Sequence, residues 1–293
     1  MTHITLLGGG LGQELVRRSK DAPTPLWSTQ VMIDHPGMVE DLHRDYYDAG
    51  ATVATTNTYA LHLDRLVDTP FAGKQVNLVT AALNEAKAAR TKPGQRLAGS
   101  IGPLIASYRP DIHPDLETAI PLYADMARQL APHVDFLICE TVASVSHAEA
   151  ILTGARQTNL PVWLSVTLDD EDGTRLRSGE PVTELGHLTP DAWLANCSAP
   201  EAMAAALDVF ATFGKPYGAY ANGFKEITKD FLKDKPTVDA LAPREDVTPA
   251  SYAETVLSWV DQGATIVGGC CEVGPDHIRE VARRLTAAGH TIV

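Results

Sequence analysis

Two adjacent cysteines follow an apolar stretch near the carboxyl end of the sequence. The stretch reads ATIVGGCCEVGPDHI and covers residues 264–278, with Cys270 and Cys271 directly after two glycines. Another of the chain's four cysteines, Cys197, follows a second apolar run. Thiolates are soft ligands, and three of them plus one further ligand describe the tetrahedral coordination of a catalytic zinc ion. We therefore interpret Cys197, Cys270 and Cys271 as candidate metal ligands.

Two alternative roles for the paired cysteines stay open at the level of sequence. The pair could form a disulfide between neighbours, but that bond is strained and a reducing compartment disfavours it. The cysteines could also be small buried apolar residues, which is the interpretation we favour for Cys139. Gly268 and Gly269 favour the metal site, because they would permit the irregular backbone that two neighbouring ligands require.

The elements that must position these cysteines are predicted to be eight β-strands. Several are apolar throughout, as expected for parallel strands buried on both faces. The predicted strands cover residues 3–7, 51–56, 97–101, 135–139, 162–166, 193–196, 217–221 and 265–267. Helical patterns lie between them, several opening with a capping residue or proline and closing with glycine. These patterns cover residues 38–50, 76–90, 115–133, 144–157, 198–214, 248–263 and 275–289.

This alternation predicts an α/β fold, a (β/α)8 TIM barrel, with residues 1–293 as a single domain. Residues 167–189 and 222–249 are interpreted as loop insertions on the active-site face. The active site of such a barrel lies at the carboxyl ends of its strands. Cys197 ends the sixth predicted strand and Cys270 and Cys271 end the eighth, so the three thiols are expected to converge above the barrel.

Several motifs resemble those of the homocysteine S-methyltransferase family, which includes betaine–homocysteine methyltransferases and the homocysteine-binding module of cobalamin-dependent methionine synthase. The likeness rests on NCSAP, on IVGGCC followed by PDHI, and on a long segment beginning PLWSTQVMIDHPGMVEDLH. GSIGP, CETVAS and LRSGEP follow in the family's order. The resemblance covers nearly the whole chain.

The resemblance implies that Cys197, Cys270 and Cys271 hold Zn²⁺ and that the thiol of homocysteine completes the coordination. Zinc would keep that thiol deprotonated at neutral pH. The thiolate would then attack the methyl group of a sulfonium donor, of the S-methylmethionine or S-adenosylmethionine type, and give methionine. Binding both substrates side by side would contribute further to the rate.

The resemblance also implies residues that bind the substrates. Glu140 matches the family's glutamate that binds the amino group of homocysteine, a recognition pair expected of a carboxylate and an ammonium. Two polar residues match strand-end positions near the substrate, and three aromatic residues suit cation–π contact with a sulfonium. In that order these candidates are Ser100 and Asn57, then Tyr59, Trp27 and Tyr220.

One position departs from the family pattern. The family usually has an aspartate in the motif after the first strand, where this chain has Gly8 in LLGGGLGQEL. Gly8 has no carboxylate, so the amino group of the acceptor loses one partner. Either the amino acid is held differently, or the acceptor is a thiol other than homocysteine.

Composition excludes some partners. With 24 basic and 37 acidic residues the net charge is 24 − 37 = −13, and no basic stripe suggests binding to nucleic acid. The sequence MTHITLLGGG does not read as a signal peptide, and no apolar run approaches the ~20 residues of a membrane span. We therefore expect a cytoplasmic protein that does not bind membranes.

Two rival functions remain open. The first is a methyltransferase that uses betaine or another onium donor. The second is a non-catalytic zinc or thiol sensor that exposes its cysteines to oxidation. His277, which follows the paired cysteines in PDHI, is expected on an exposed helix turn rather than as a fourth metal ligand.

Overall fold

The structure, a computed structural model, describes residues 2–22, 24, 26–225 and 242–293. Its strands agree with the predicted ones to within three residues at either end. They are β1 His3–Leu6, β2 Val53–Thr55, β3 Arg96–Ile101, β4 Phe136–Val142, β5 Val162–Val166, β6 Ala192–Asn196, β7 Tyr217–Tyr220, β8 Ile266–Val267 and β9 Thr291–Ile292. The ninth strand was not predicted, because Thr291–Ile292 is not part of a longer apolar run and is a strand only through its pairing with β1.

The strands form one parallel sheet that closes on itself. Its order is β2-β3-β4-β5-β6-β7-β8-β1-β9. A parallel bridge between Leu7 and Val53 joins the end of β1 to β2. Backbone hydrogen bonds from Gly8 to Val53 (3.0 Å) and from Thr52 to Leu6 (2.7 Å) complete this seam. The predicted (β/α)8 barrel is confirmed, and β9 pairs with the first residues of β1.

Helices follow most strands, and the seven predicted helical patterns each contain one. The helices of the described residues are α1 Gly12–Ser19, α2 Ser28–Asp34, α3 Met38–Asp48, α4 Leu63–Leu66, α5 Gln75–Ala89, α6 Leu116–Leu130, α7 Val145–Ala155, α8 Met203–Ala211, α9 Pro249–Asp261 and α10 Pro275–Ala287. Side-chain caps begin several of them. The Ser144 hydroxyl accepts from His147 N at the start of α7, and the Thr248 hydroxyl accepts from Ser251 N at the start of α9.

The connection from β5 to β6 departs from the regular alternation. It contains two isolated antiparallel bridges, Leu168 with Leu176 and Arg175 with Pro181, and then a 3-10 helix, Val182–His187. The predicted insertion at 167–189 thus takes the place of the fifth barrel helix. Of the other predicted insertion, at 222–249, residues 226–241 lie outside the described residues.

The barrel interior is packed with side chains from all the strands of the closed ring. Its buried members are Leu7, Val53, Ala98, Phe136, Ile138, Ala192, Leu194, Tyr220 and Ile266, with Trp163 partly buried against them. Cys270 also packs against this cluster, so the interior continues upward into the layer of paired cysteines. Within the described residues, no helix has the length and apolar character required to cross a membrane.

Candidate functional site

Three thiols meet at the carboxyl ends of β6 and β8. The Sγ atom of Cys197 lies 2.8 Å from that of Cys270 and 3.6 Å from that of Cys271. The two neighbouring cysteines have their Sγ atoms 4.0 Å apart. In the described part of the chain, these residues are the one group of His, Cys, Asp and Glu side chains that could hold a metal ion.

The spacing of the sulfur atoms suits a tetrahedral ion. Zinc–sulfur bonds of ~2.3 Å place neighbouring sulfurs of a tetrahedron roughly 3.8 Å apart. The two distances that involve Cys271 agree with this value, and the Cys197–Cys270 distance is shorter by about one ångström. All four cysteines of the chain are free thiols, so the pair is not a disulfide. The donor set and its spacing fit a soft divalent metal.

Close backbone packing, rather than unusual dihedral angles at the glycines, brings the paired cysteines into place. A Cβ atom on Gly268 would lie 2.6 Å from Leu7 Cβ, and one on Gly269 would lie 2.2 Å from Val273 Cγ1. Neither glycine has a positive φ, so what the structure requires of them is the absence of a side chain where two backbone segments approach closely. The left-handed residue is instead Cys197, with φ 53°, which turns its thiol toward the pair.

The three thiols share their protons unequally. The pKa of Cys197 is held well below its usual value, because Cys270 and Cys271 both form hydrogen bonds to its sulfur. The pKa values of Cys270 and Cys271 are raised, chiefly by the same bonds to Cys197. The cluster therefore favours one thiolate at Cys197 flanked by two S–H donors, an arrangement that a metal ion would convert into three thiolates.

Glu140 lies at the end of β4 and is held by two hydroxyl groups. Ser100 Oγ donates to one carboxylate oxygen at 2.6 Å, and the Tyr220 hydroxyl donates to the other at 3.1 Å. Burial raises the pKa of Glu140 to about 7, while these two bonds lower it. The register of β4 against β5 shifts between Cys139 and Val142, a local irregularity at Glu140. The carboxylate thus has a fixed orientation and retains capacity to accept from a cationic group.

Asn196, the residue directly before Cys197, is hydrogen-bonded to Thr141, the residue directly after Glu140. Its Oδ1 accepts from Thr141 N at 2.9 Å and from Ser165 Oγ at 2.9 Å, and its Nδ2 donates to Thr141 Oγ1 at 3.0 Å. Asn196 is fully buried. Thr141, a β-branched residue of this network, has φ 59°. Cys197, which follows Asn196, is also left-handed, and both conformations cost energy. The amide of Asn196 therefore stabilises the strained backbone that positions Glu140 and Cys197.

We expect Asn196→Ala to weaken metal binding as well as the fold. The substitution leaves the Thr141 and Ser165 groups unsatisfied in the interior and lowers the free energy of unfolding by about 2–3 kcal/mol. Ser165→Ala is the matched control, because it removes one bond to the same amide and leaves both bonds to Thr141. Metal titrations should show weaker binding for Asn196→Ala than for Ser165→Ala. Equal metal affinity of the two variants would show that the network is structural only.

The remaining predicted residues lie at different depths around the thiols. Asn57 Oδ1 accepts from Ser28 Oγ at 2.6 Å, so it fixes the start of α2 directly after Trp27. Trp27 packs against the cluster that contains the three cysteines. The ring of Tyr59 already has a cation over it, since Arg65 lies 5.6 Å from its centroid.

Residues from other loops complete the site, and no periodic pattern in the sequence indicates them. Tyr108 and Phe224 are buried in one cluster with Cys197, and the Tyr108 hydroxyl acts to lower the pKa of the Cys197 thiol. The amide of Gln13 is buried, and its interaction with the Cys271 thiol acts to lower the pKa of that thiol. Gln13 follows the glycine run after β1, and this loop lies against the paired cysteines, since a Cβ on Gly10 would lie 2.6 Å from Cys270 O.

The structure accounts for two further features of the sequence, at Gly8 and His277. A Cβ atom on Gly8 would lie 3.3 Å from the ring of Tyr46, whose hydroxyl donates to Gly10 O at 2.8 Å. The position of the family aspartate is therefore tightly packed by Tyr46 in this chain. His277 is partly buried rather than exposed, and its ring bonds to Gly274 N and Val247 O, which caps α10 and leaves the ring away from the thiols.

Comparison with known proteins agrees with the geometry. Residues 5–285 match the profile of a protein family described as homocysteine S-methyltransferase. A homocysteine S-methyltransferase of Escherichia coli K12 is 29% identical over 96% of this chain and 95% of its own length. The homocysteine S-methyltransferase YbgG of Bacillus subtilis is 23% identical over 95% of this chain and 93% of its own. The crystal structure of the metallated form of the E. coli homocysteine methyltransferase MmuM superposes with a TM-score of 0.78 at 25% identity, covering 97% of this chain and 96% of that one.

Proposed function

This chain belongs to the homocysteine S-methyltransferase family and transfers a methyl group to the thiol of homocysteine, giving methionine, and we propose that it does so with zinc and a sulfonium donor. One observation carries the proposal of a metal: three thiols, all within 4.8 Å of one another, lie at the strand ends where a barrel places its active site. The rival of a non-catalytic thiol sensor does not agree with membership of an enzyme family.

Cys197, Cys270 and Cys271 are the proposed ligands of the zinc. Three soft sulfur donors select zinc over the hard cations that oxygen ligands prefer. When bound, the ion would keep the thiol of homocysteine deprotonated and so supply a thiolate at neutral pH. The similarity to a metallated form of the E. coli homocysteine methyltransferase supports the proposal that this chain binds a metal.

Glu140 is the proposed partner of the amino group of homocysteine. Its carboxylate is held by Ser100 and Tyr220, so both candidates would act by orienting Glu140 rather than by touching the substrate. The approach of an ammonium would lower the pKa of Glu140 and keep it charged. The ion pair would then fix the amino acid with its thiol directed toward the cysteines.

Trp27 is the aromatic residue that best fits the sulfonium donor. It packs against the cysteine cluster, where the methyl group must be delivered, and a sulfonium is a cation that favours an aromatic face. Asn57 would act through Ser28 by fixing the backbone that follows Trp27. The proposed step breaks the bond between the methyl carbon and the donor sulfur. The electron pair stays on that sulfur, which leaves as a neutral thioether, and the homocysteine sulfur forms the new bond.

A donor screen tests this proposal. We expect the zinc-loaded protein to form methionine from homocysteine with S-methylmethionine or S-adenosylmethionine at a kcat/KM about 10²-fold or more above that with betaine. The physical reason is that a neutral thioether leaves more readily than a tertiary amine. Methionine is measured with each methyl donor supplied singly, and protein treated with a chelator is the control. Turnover with betaine equal to that with the sulfonium compounds would contradict the choice of donor.

A further inference from the structure

Arg177 presents two unpartnered hydrogen-bond donors beside the thiol site. It lies in the connection between β5 and β6, and its side chain is 16% exposed. Its Nη1 donates to Asp170 Oδ2 at 2.9 Å. Its Nε and Nη2 atoms are buried and have no hydrogen-bond partner in the part of the chain that the structure describes.

The position of the guanidinium group is fixed from two sides. Asp170 is itself held by Ala199, whose backbone N–H donates to Asp170 Oδ1 at 2.8 Å, two residues after Cys197. On the other side, the guanidinium carbon lies 5.6 Å from the centroid of the Tyr108 ring. Tyr108 in turn packs against Cys197. The ring of Tyr108 therefore separates Arg177 from the candidate metal ligand Cys197. Asp170 also links the guanidinium group to the backbone of Ala199, two residues after that ligand.

The two unpartnered atoms are those of one edge of the guanidinium group. Nε–H and the adjacent Nη2–H point the same way and form the fork that binds a carboxylate through two parallel hydrogen bonds. Leaving such charged donors buried and unsatisfied costs on the order of several kcal/mol, so a bound partner is expected. Asp170 accepts from Nη1 on the opposite side, so its carboxylate does not satisfy this edge.

We propose that the Nε–Nη2 edge of Arg177 binds the carboxylate of an amino-acid substrate. The inference rests on the proposed function, in which both homocysteine and an amino-acid sulfonium carry a carboxylate. Glu140 is suited to the ammonium group and, as an anion, cannot bind the carboxylate, which needs a separate set of hydrogen-bond donors. A guanidinium fork next to the thiols supplies such donors. Arg177 lies in the LRSGEP segment, for which the sequence alone indicated no role in binding.

Kinetics with paired substrates test the proposal and identify which substrate binds. The acceptor pair is homocysteine and 3-aminopropane-1-thiol, which lacks the carboxylate. The donor pair is S-methylmethionine and (3-aminopropyl)dimethylsulfonium, which also lacks it. For Arg177→Met we expect the KM of one carboxylate-bearing substrate to rise about 10- to 100-fold, with kcat changed less than about threefold. The KM of the analogue of that substrate that lacks the carboxylate should change less than about twofold.

The matched control is Arg175→Met in the same loop. Arg175 is exposed and pairs with Asp172, so its removal should leave every KM unchanged. Arg177→Lys is the second variant, which keeps the charge but not the fork, and we expect a smaller rise in KM that is again confined to the carboxylate-bearing substrate. If Arg177→Met does not fold, the KM values of Arg177→Lys are used to test the proposal. A KM that is unchanged for both carboxylate-bearing substrates, or that rises equally with and without the carboxylate, would overturn the proposal.

Binding measurements separate this inference from the proposed function. If wild-type protein transfers no methyl group from any sulfonium to homocysteine, the proposed function fails. Calorimetric titration with homocysteine, S-methylmethionine and their two analogues then still measures how much the carboxylate contributes to binding. We expect wild-type protein to bind one member of a pair at least about tenfold more tightly than its analogue, and Arg177→Met to bind both equally. If wild-type protein binds each substrate and its analogue without the carboxylate equally tightly, in both pairs, the carboxylate subsite is rejected.

Discussion

Replacing Cys270 by alanine should remove both the bound metal and the methyl transfer. Cys270 supplies one of three sulfurs, and its Sγ atom is the nearest to that of Cys197. Two thiols cannot complete the coordination that three provide, so the metal is lost or held weakly, and the acceptor thiol remains protonated at neutral pH. We expect kcat/KM to fall by more than about 10³-fold. The measurements are metal content per chain after gel filtration and methionine formed from homocysteine.

Cys139 provides the matched control for this experiment. It is the remaining cysteine, fully buried in β4, and it is not part of the metal-ligating group. Cys139→Ala removes a thiol of the same type and should keep both the metal and the activity, with a loss of stability from the small cavity. Full turnover by Cys270→Ala with undiminished metal would end the proposal of a three-cysteine centre. Loss of metal from Cys139→Ala to the same extent would show that metal content reports only on folding.

Replacing Glu140 by glutamine should raise the KM for homocysteine about 10²-fold, because removing one partner of a buried charge pair costs about 2–5 kcal/mol. Glutamine has nearly the same shape; its amide oxygen can accept from one of the Ser100 and Tyr220 hydroxyls, and its NH2 group can donate to the other once that hydroxyl rotates, so the change removes charge rather than volume. Metal content should stay at the wild-type level, because Glu140 is not one of the ligating group. Initial rates over a range of homocysteine concentrations give the KM.

An acceptor without the amino group is the control for Glu140. With 4-mercaptobutanoate, which keeps the thiol and carboxylate of homocysteine, wild type and Glu140→Gln should have similar KM values. A variant that loses affinity for both acceptors to the same degree would mean that Glu140 shapes the site without binding the ammonium. The two substitutions together separate metal binding from substrate binding, since Cys270→Ala loses the metal and Glu140→Gln keeps it.

The sequence determined the barrel and the location of the thiol site. Apolar runs of strand length and capped helical patterns depend on neighbouring residues only, so they identified the eight strands of the closed ring to within three residues at either end. Because the carboxyl ends of parallel strands in a closed barrel lie on one face, cysteines after β6 and β8 had to come close together. Resemblance to the family predicted a substrate-binding role for Glu140, which stays a proposal, and the strand pattern predicted its place near the carboxyl end of β4.

Tertiary structure alone decided how these residues are held. The bonds of Glu140 to Ser100 and Tyr220 join residues 40 and 80 positions apart, and no local pattern records such pairings. The left-handed backbone at Cys197 and Thr141 is stabilised by Asn196, whose role depends on the register of β4 against its neighbours. Arg177 lies over Tyr108 because a loop replaces the fifth barrel helix. Sequence periodicity specifies which elements form and which face they bury, whereas register, bulges and loop packing depend on contacts between distant segments and appear only in the folded chain.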